Sequence, residues 1–384
     1  MKAKGMYGLF IAAFMTMLLL PLLKIDLNGG AISKQENRVL ASRPSLSLAL
    51  EHPVGFVKGL DTWFMDNVGF REQLISLYKH LDALETEGPY TDGQYKMLIG
   101  KEGHRYFAHT NGILIEKFQG KPYLTDEQLT GMTEGLKWIK ATLDARNLPF
   151  TFMLCVDKET VYPEFYPDSI IKGQGPDQID IITSAIAATG IDTFNLKARL
   201  LSEKANYPVF DITGDAVDIL SHYNEIGAFF AYQELMAHIH PSVTVSETLT
   251  LDDVNITYRE KAGFPNIPNV RVTQPIGYQR TDATFFDGVP QEETRLSAAF
   301  VSEDASLPRL LVLCDSYYGI DSFVSQYMTQ HFSQAVQLHW RNASKFTTYI
   351  ERYQPDMIVF EVSERELRDF ADTMLKLQAN EVAL

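Results

Sequence analysis

The chain has 384 residues with a formal net charge of −15. That length buries a sizeable core in one large domain or two small ones, and its balance of apolar, aromatic and charged residues fits neither a disordered chain nor a multi-span membrane protein. The acidic balance excludes a nucleic-acid role, because neutralising phosphates needs a basic face. It also argues against broad adhesion to anionic lipid.

Lys2 and Lys4 precede an apolar run, Met6 to Leu23, interrupted only by Thr16 and Pro21. The run is near the minimum of roughly 17 residues for a bilayer-spanning helix, and no small-x-small cleavage site follows it. Lysines before the span predict a cytoplasmic N-terminus and an exported body. A cleaved signal peptide is the alternative, and it too exports the remainder. Residues 1–28 therefore read as a signal anchor, 29–50 as a polar linker, 51–378 as one catalytic domain and 379–384 as a tail.

From Val54 to Glu85 the spacing of Phe56, Leu60, Phe64, Phe70, Leu74 and Leu77 predicts helix, broken near Gly69. Tyr95 to Ile115 alternates like a hairpin. Thr125 and Gln128 stand at capping-box spacing before a helix running to Arg146. Strand Phe150 to Val156, helix Gln178 to Thr189, short strand Val209 to Ile212 and helix Glu225 to Ile239 follow. Residues 243–298 lack a helical period and read as a β-rich insertion or sheet extension. Strands Arg309 to Cys314, Ala335 to Trp340 and Met357 to Val362 then alternate with helices Ile320 to Phe332, Ser344 to Arg352 and Glu364 to Leu377. This rhythm predicts an α/β fold with a doubly wound, mainly parallel sheet. Strand carboxyl ends would share one edge, where ligands bind. The two cysteines, Cys155 and Cys314, close apolar runs and read as buried thiols, with a disulfide after export as the alternative, and they cannot build a metal site. No cofactor is expected.

Ser316 follows the strand RLLVLC at a sharp strand-to-helix turn. That placement exposes a hydroxyl beside helical N–H groups able to bind an oxyanion. A helix N-cap is the alternative role for Asp315-Ser316. Serine needs a base, and His222, between the predicted strand Val209 to Ile212 and the helix from Glu225, would reach the same edge. Asn224 is placed either to position a substrate or to cap that helix. Tyr318 is a further substrate or oxyanion candidate. So is Arg341, at the end of the strand AVQLHW, with a surface salt bridge as its alternative. Asp157 and Lys158 read as a structural pair.

Several blocks resemble one family. Ser221-His222-Tyr223-Asn224 with Gly227-Ala228 is similar to the Thr-His-Trp-Asn…Gly-Ala block of AlgX/AlgJ-type proteins, which with the related DHHW proteins are SGNH-hydrolase-like polysaccharide O-acetyltransferases. Glu36-Asn37-Arg38 resembles their juxtamembrane Glu-Asn-Arg element, and Phe64 to Arg71 their Phe…Asp-Asn-Phe-Gly-Phe-Arg helix. Val156 to Glu164 resembles Pro-Asp-Lys…Val-Tyr-Pro-Glu, Asp315-Ser316 the Asp-Ser-Phe nucleophile element, and Phe360-Glu361 with Glu364-Arg365 a Phe-Glu…Glu-Arg block. The resemblance implies an SGNH/flavodoxin-like sheet, Ser316 as acyl-accepting nucleophile and His222 as its base. The family's aspartate two residues before the histidine is Leu220 here, and Asp218 is the replacement candidate, with Asp215 nearby.

By the same resemblance the protein is an extracytoplasmic, membrane-anchored O-acetyltransferase. Its acceptor is a cell-surface or exported polysaccharide, and its acetyl donor a membrane-bound O-acyltransferase partner. With water as acceptor the same machinery is an acetylesterase. Leu220 at the acid position favours a different class of alternative, a catalytically degenerate glycan-binding or assembly subunit.

Overall fold

A computed structural model describes residues 10, 14–16, 19–27, 29–33, 38–71, 73, 89–92, 95–108, 113–168, 170–174, 177–211, 222–261, 264–291, 294, 297–318 and 324–382. The chain forms two compact units, Met1–Tyr90 and Thr91–Leu384. Among the described residues, no helix is long and apolar enough to cross a membrane. The predicted span includes residues 6–9, 11–13 and 17–18, which lie outside that set.

In the first unit the helix predicted from Val54 runs over Pro53–Asn67. Asp66 and Asn67 at its end grip the backbone of Ala41: Asp66 accepts the Ala41 N–H at 2.9 Å, and Asn67 donates to the Ala41 carbonyl at 2.7 Å. The end of this helix is thereby tied to the segment just after Arg38-Val39. Most of the predicted continuation to Glu85 lies outside the described residues.

The second unit is built on a seven-stranded sheet. In chain order its strands are β1 (Phe150–Cys155), β2 (Asp192–Asn195), β3 (Tyr278–Arg280), β4 (Ala298–Ser302), β5 (Arg309–Cys314), β6 (Gln334–His339) and β7 (Met357–Ser363). Their spatial order is β3-β4-β6-β5-β7-β1-β2. The five strands from β6 to β2 are parallel, and β4 and β3 add an antiparallel edge.

The chain leaves β5 for β6 on one side, then returns past it to β7 on the other. Strand order therefore reverses at β5, the point where open α/β sheets take their ligands. β1, β5 and β7 are buried along nearly their whole length, as parallel strands covered on both faces must be.

The principal helices are α1 (Asp126–Asp144), α2 (Gln178–Ala187), α3 (Glu225–Ile239), α4 (Val324–Met328), α5 (Phe346–Tyr353) and α6 (Leu367–Val382). α1 opens with the predicted capping box: the Thr125 hydroxyl accepts the Gln128 N–H, and the Gln128 side chain accepts the Thr125 N–H. α1 packs on α6, and α3 on α4. In β1, Phe152 faces Phe370 of α6, while Cys155 contacts Tyr223 just before α3. Side chains alternate along a strand, so an odd separation puts these two contacts on opposite faces of the sheet.

Two expectations change. Among the described residues, the apolar run beginning at Val209 joins no sheet, because Phe210 makes an isolated bridge with Tyr223. The edge strand of the sheet is instead β2, whose Asp192-Thr193-Phe194-Asn195 carries no apolar run. The hairpin predicted from Tyr95 pairs Tyr95–Ile99 with Arg105–Ala108, but Ile113–Phe118 is helical. Residues 243–298 serve in both expected ways. Val254–Lys261 and Phe264–Val272 form a separate hairpin, whereas β3 and β4 extend the main sheet.

Candidate active site

Ser316 lies two residues past β5, exposed at the carboxyl edge, and the residues on either side of it are buried. His222 Nε2 stands 2.8 Å from Ser316 Oγ. Residues 94 apart in sequence are thereby brought to hydrogen-bonding distance. The carboxylate candidates Asp218 and Asp215, with Leu220, lie outside the described residues.

His222 is placed by the helix start just after it. Asn224 Oδ1 accepts the N–H groups of Ile226 and Gly227 at the start of α3. Its amide donates to Pro208 O and to Asp211 Oδ1, and the Asn224 N–H donates to Val209 O. A Cβ on Gly227 would sit 2.3 Å from the Val209 carbonyl, so glycine is what lets α3 lie this close. The His-x-Asn…Gly block is therefore a device that docks the first turn of α3 against Val209.

Ser316 is placed by carboxyls beneath the turn. Asp315 accepts the N–H of Tyr317 at 2.9 Å and that of Ser363 at 2.7 Å, tying the end of β5 to the end of β7. Glu361 accepts the N–H of Asp315 at 3.0 Å. Burial raises the pKa of both carboxyls, more strongly for Glu361, where Asp315 adds to the effect.

Beside the turn lies a buried ion cluster. The Tyr317 hydroxyl donates to Asp157 at 2.9 Å and accepts from Arg365 at 2.6 Å, while Arg365 Nε donates to Asp157 at 2.7 Å. Lys117 contacts Glu159 at 2.9 Å and Glu364 at 2.8 Å, and the Tyr123 hydroxyl donates to Glu364. Burial opposes the charge on Asp157, but Arg365 and Lys117 outweigh it and hold the carboxyl below its ordinary range. Glu159 is pushed up to about 7, first by burial. Lys158 does not pair with Asp157 as expected. Its ammonium donates to the carbonyls of Arg105 and Asp211, and burial lowers its pKa to about 7.

The remaining sequence candidates are placed by their partners and burial. Asn224 is a buried helix cap, because its side chain is committed to protein partners. Tyr318 is fully buried, and among the described residues its hydroxyl has no hydrogen-bond partner. Arg341 pairs with Glu366 at 3.3 Å and Asp369 at 3.0 Å, the surface salt bridge that was its alternative. Tyr317 is a site residue that sequence reasoning misses, and Asp315, Glu361 and Arg365 enter it only as members of motif blocks, with no role at the site. The Phe-Glu…Glu-Arg block is the one sequence signal pointing to the last two.

The described residues hold no group of acidic, His and Cys side chains able to bind a metal ion. Cys155 and Cys314 are free, buried thiols.

No curated protein matches the chain. Among solved structures, Bacillus cereus PatB1 with a sulfonyl adduct aligns at TM-score 0.52 and 14% identity, over 73% of this chain and 96% of that one. A DHHW family protein from Eubacterium siraeum aligns at TM-score 0.50 and 11% identity, over 75% of this chain and 97% of that one. At such identities the likeness is one of fold. The sequence model of a family described as the SGNH hydrolase-like domain of the acetyltransferase AlgX matches residues 117–356. That match spans more than half of the chain, which therefore belongs to the AlgX SGNH hydrolase-like acetyltransferase family.

Proposed function

We propose that this protein is an extracytoplasmic O-acetyltransferase that moves acetyl groups to hydroxyls of a cell-surface or exported polysaccharide through a Ser316 acyl-enzyme. The observation that carries the reading is the 2.8 Å contact between His222 Nε2 and Ser316 Oγ at the carboxyl edge of β5. In the productive tautomer Nε2 accepts the serine proton as Oγ attacks the acetyl carbonyl. Backbone N–H groups of the turn that carries Ser316 hold the oxyanion. The Tyr317 N–H is already committed to Asp315. The donor's leaving group takes the proton from His222, giving acetyl-Ser316. A sugar hydroxyl, deprotonated by His222, then attacks the acetyl group and regenerates the serine.

Asp218 is assigned as the carboxylate that orients the second ring nitrogen of His222. Residues 1–28 anchor the chain beside a membrane-bound O-acyltransferase that delivers the acetyl group. The acidic body suits an acceptor that is not strongly anionic, since like charges repel at the rim.

The test uses the full chain in detergent with p-nitrophenyl acetate. Wild type is expected to release nitrophenol above background and to carry acetyl on the Ser316 peptide. Ser316→Ala and His222→Ala should do neither. Equal background rates for wild type and Ser316→Ala would sink the enzymatic reading.

A further inference from the structure

The dipeptides His222-Tyr223 and Ser316-Tyr317 are joined more than once. Besides the contact between His222 and Ser316, the Tyr223 hydroxyl donates to the Tyr317 carbonyl at 3.0 Å. The Tyr223 and Tyr317 rings meet edge to face, 5.1 Å apart at 80°. The His222 ring lies 4.7 Å from the Tyr317 ring. Tyr317 thus touches the base through its ring and adjoins the nucleophile through its backbone.

At its far end Tyr317 is held by the buried Asp157–Arg365 pair, donating to Asp157 and accepting from Arg365. Both tyrosines and Asp157 are buried. The family pattern that Asp315-Ser316 resembles continues with phenylalanine, and the one that His222 resembles continues with tryptophan. The hydroxyls at 317 and 223 are therefore features of this chain.

We propose that the Tyr317 hydroxyl, fixed by Asp157 and Arg365, is a positioning device that holds the His222 imidazole against Ser316, with Tyr223 as the second tie. The proposal rests on the reading of Ser316 and His222 as nucleophile and base. A phenylalanine ring in the same place could rotate about its own axis and slide. A hydroxyl that donates to Asp157 and accepts from Arg365 cannot slide or tilt with its ring without giving up both bonds in a buried site. Misplacing a base by about 1 Å can cost about 10²-fold in rate. Burial raises the Tyr317 pKa well above its ordinary value, so the hydroxyl stays protonated and keeps its role as donor to Asp157.

The experiment compares wild type, Tyr317→Phe and Tyr223→Phe as full-length proteins, with three readouts. These are kcat and KM on an acetyl ester, the rate of Ser316 modification by a sulfonyl fluoride, and the titration of the His222 ring by NMR. Tyr317→Phe is expected to lower kcat and the modification rate by about 10- to 100-fold with KM within about two-fold, and to shift the His222 titration. Tyr223→Phe should do the same to a smaller degree, and the double variant should lose less than the product of the two losses, since both ties act on one geometry.

Unchanged kcat, modification rate and His222 titration in Tyr317→Phe, with only a lower denaturation midpoint, would overturn the proposal and leave the hydroxyl a purely structural group. If wild type neither turns over ester nor reacts with the sulfonyl fluoride, the enzymatic reading fails by itself. The His222 titration then decides the positioning role alone, an unshifted curve overturning it. Should Tyr317→Phe not fold, Arg365→Lys with Tyr223→Phe carries the same readouts.

Discussion

Glu361 holds Asp315 from below: its carboxyl accepts the Asp315 backbone N–H at 3.0 Å, across a separation of 46 residues in sequence. The side chain of Glu361 is fully buried, and among the described residues one of its oxygens has no hydrogen-bond partner. A carboxylate in that position would be costly, and burial together with Asp315 raises its pKa well above 4.5.

Above pH 4.5 the unfolded chain releases the Glu361 proton while the folded chain keeps it, so this group's contribution to stability falls as pH rises, by at most about 1.4 kcal/mol per pH unit. Glu361→Gln keeps an acceptor for the Asp315 N–H and removes the ionisation. Urea denaturation should find it more stable than wild type at pH 8, with the gap closing towards pH 4.5. A gap independent of pH would show that Glu361 is ionised in the folded protein.

Asn224→Ala should lower stability by about 1–2 kcal/mol, the usual cost of losing a helix cap, with more from the lost bonds to the Pro208 carbonyl and the Asp211 carboxylate. Because His222 lies two residues upstream, ester turnover should fall further than the loss of folded protein explains. Asn224→Asp keeps the acceptor for Ile226 and Gly227 and should recover part of the stability. Thermal denaturation beside kinetics separates the two effects.

Arg341→Ala should change stability by less than about 1 kcal/mol, since exposed ion pairs contribute little. Glu366, raised to about 7 first by burial and then by Asp315, loses a partner that opposes the rise, so its pKa should move higher still. The KM for a polysaccharide acceptor should stay unchanged. A several-fold rise would make Arg341 a substrate contact despite its pairing with Glu366 and Asp369.

His331 is buried between Tyr232 and Ser246. The Tyr232 hydroxyl accepts the Leu249 N–H and offers its own proton to His331 Nε2 at 2.5 Å, and His331 Nδ1 faces Ser246 Oγ at 2.7 Å. Burial lowers its pKa from 6.5 to about 4. Between those values the unfolded chain binds a proton that the folded chain refuses. Stability should therefore fall as pH drops from 6.5 to 4, by up to about 1.4 kcal/mol per pH unit from this residue. His331→Gln should be less stable at pH 7 and show a shallower acid slope in the same denaturation series.

The sequence by itself determined the elements with strong local signals. RLLVLC and MIVFEVS became central strands because runs of apolar and β-branched residues have no stable place but the interior of a covered sheet. The Thr125 capping box marked the start of α1 because both of its hydrogen bonds are local. Ser316 was legible from its position after β5, and His222 from the block around it.

Partnership required the tertiary structure. The run beginning at Val209 looks like a strand, while Asp192-Thr193-Phe194-Asn195 does not. A strand's existence depends on the neighbour that takes its hydrogen bonds, and at a sheet edge that neighbour can recruit a polar segment. Asp157 has Lys158 beside it in sequence, yet it pairs with Arg365, 208 residues away, because a buried charge is compensated by whatever the fold brings to it. Ser316 and His222 were visible in the chain as a nucleophile and a base. Their 2.8 Å spacing, and the tyrosines that join the two halves of the pair, were decided only by the tertiary structure, which brings together residues 94 apart in sequence.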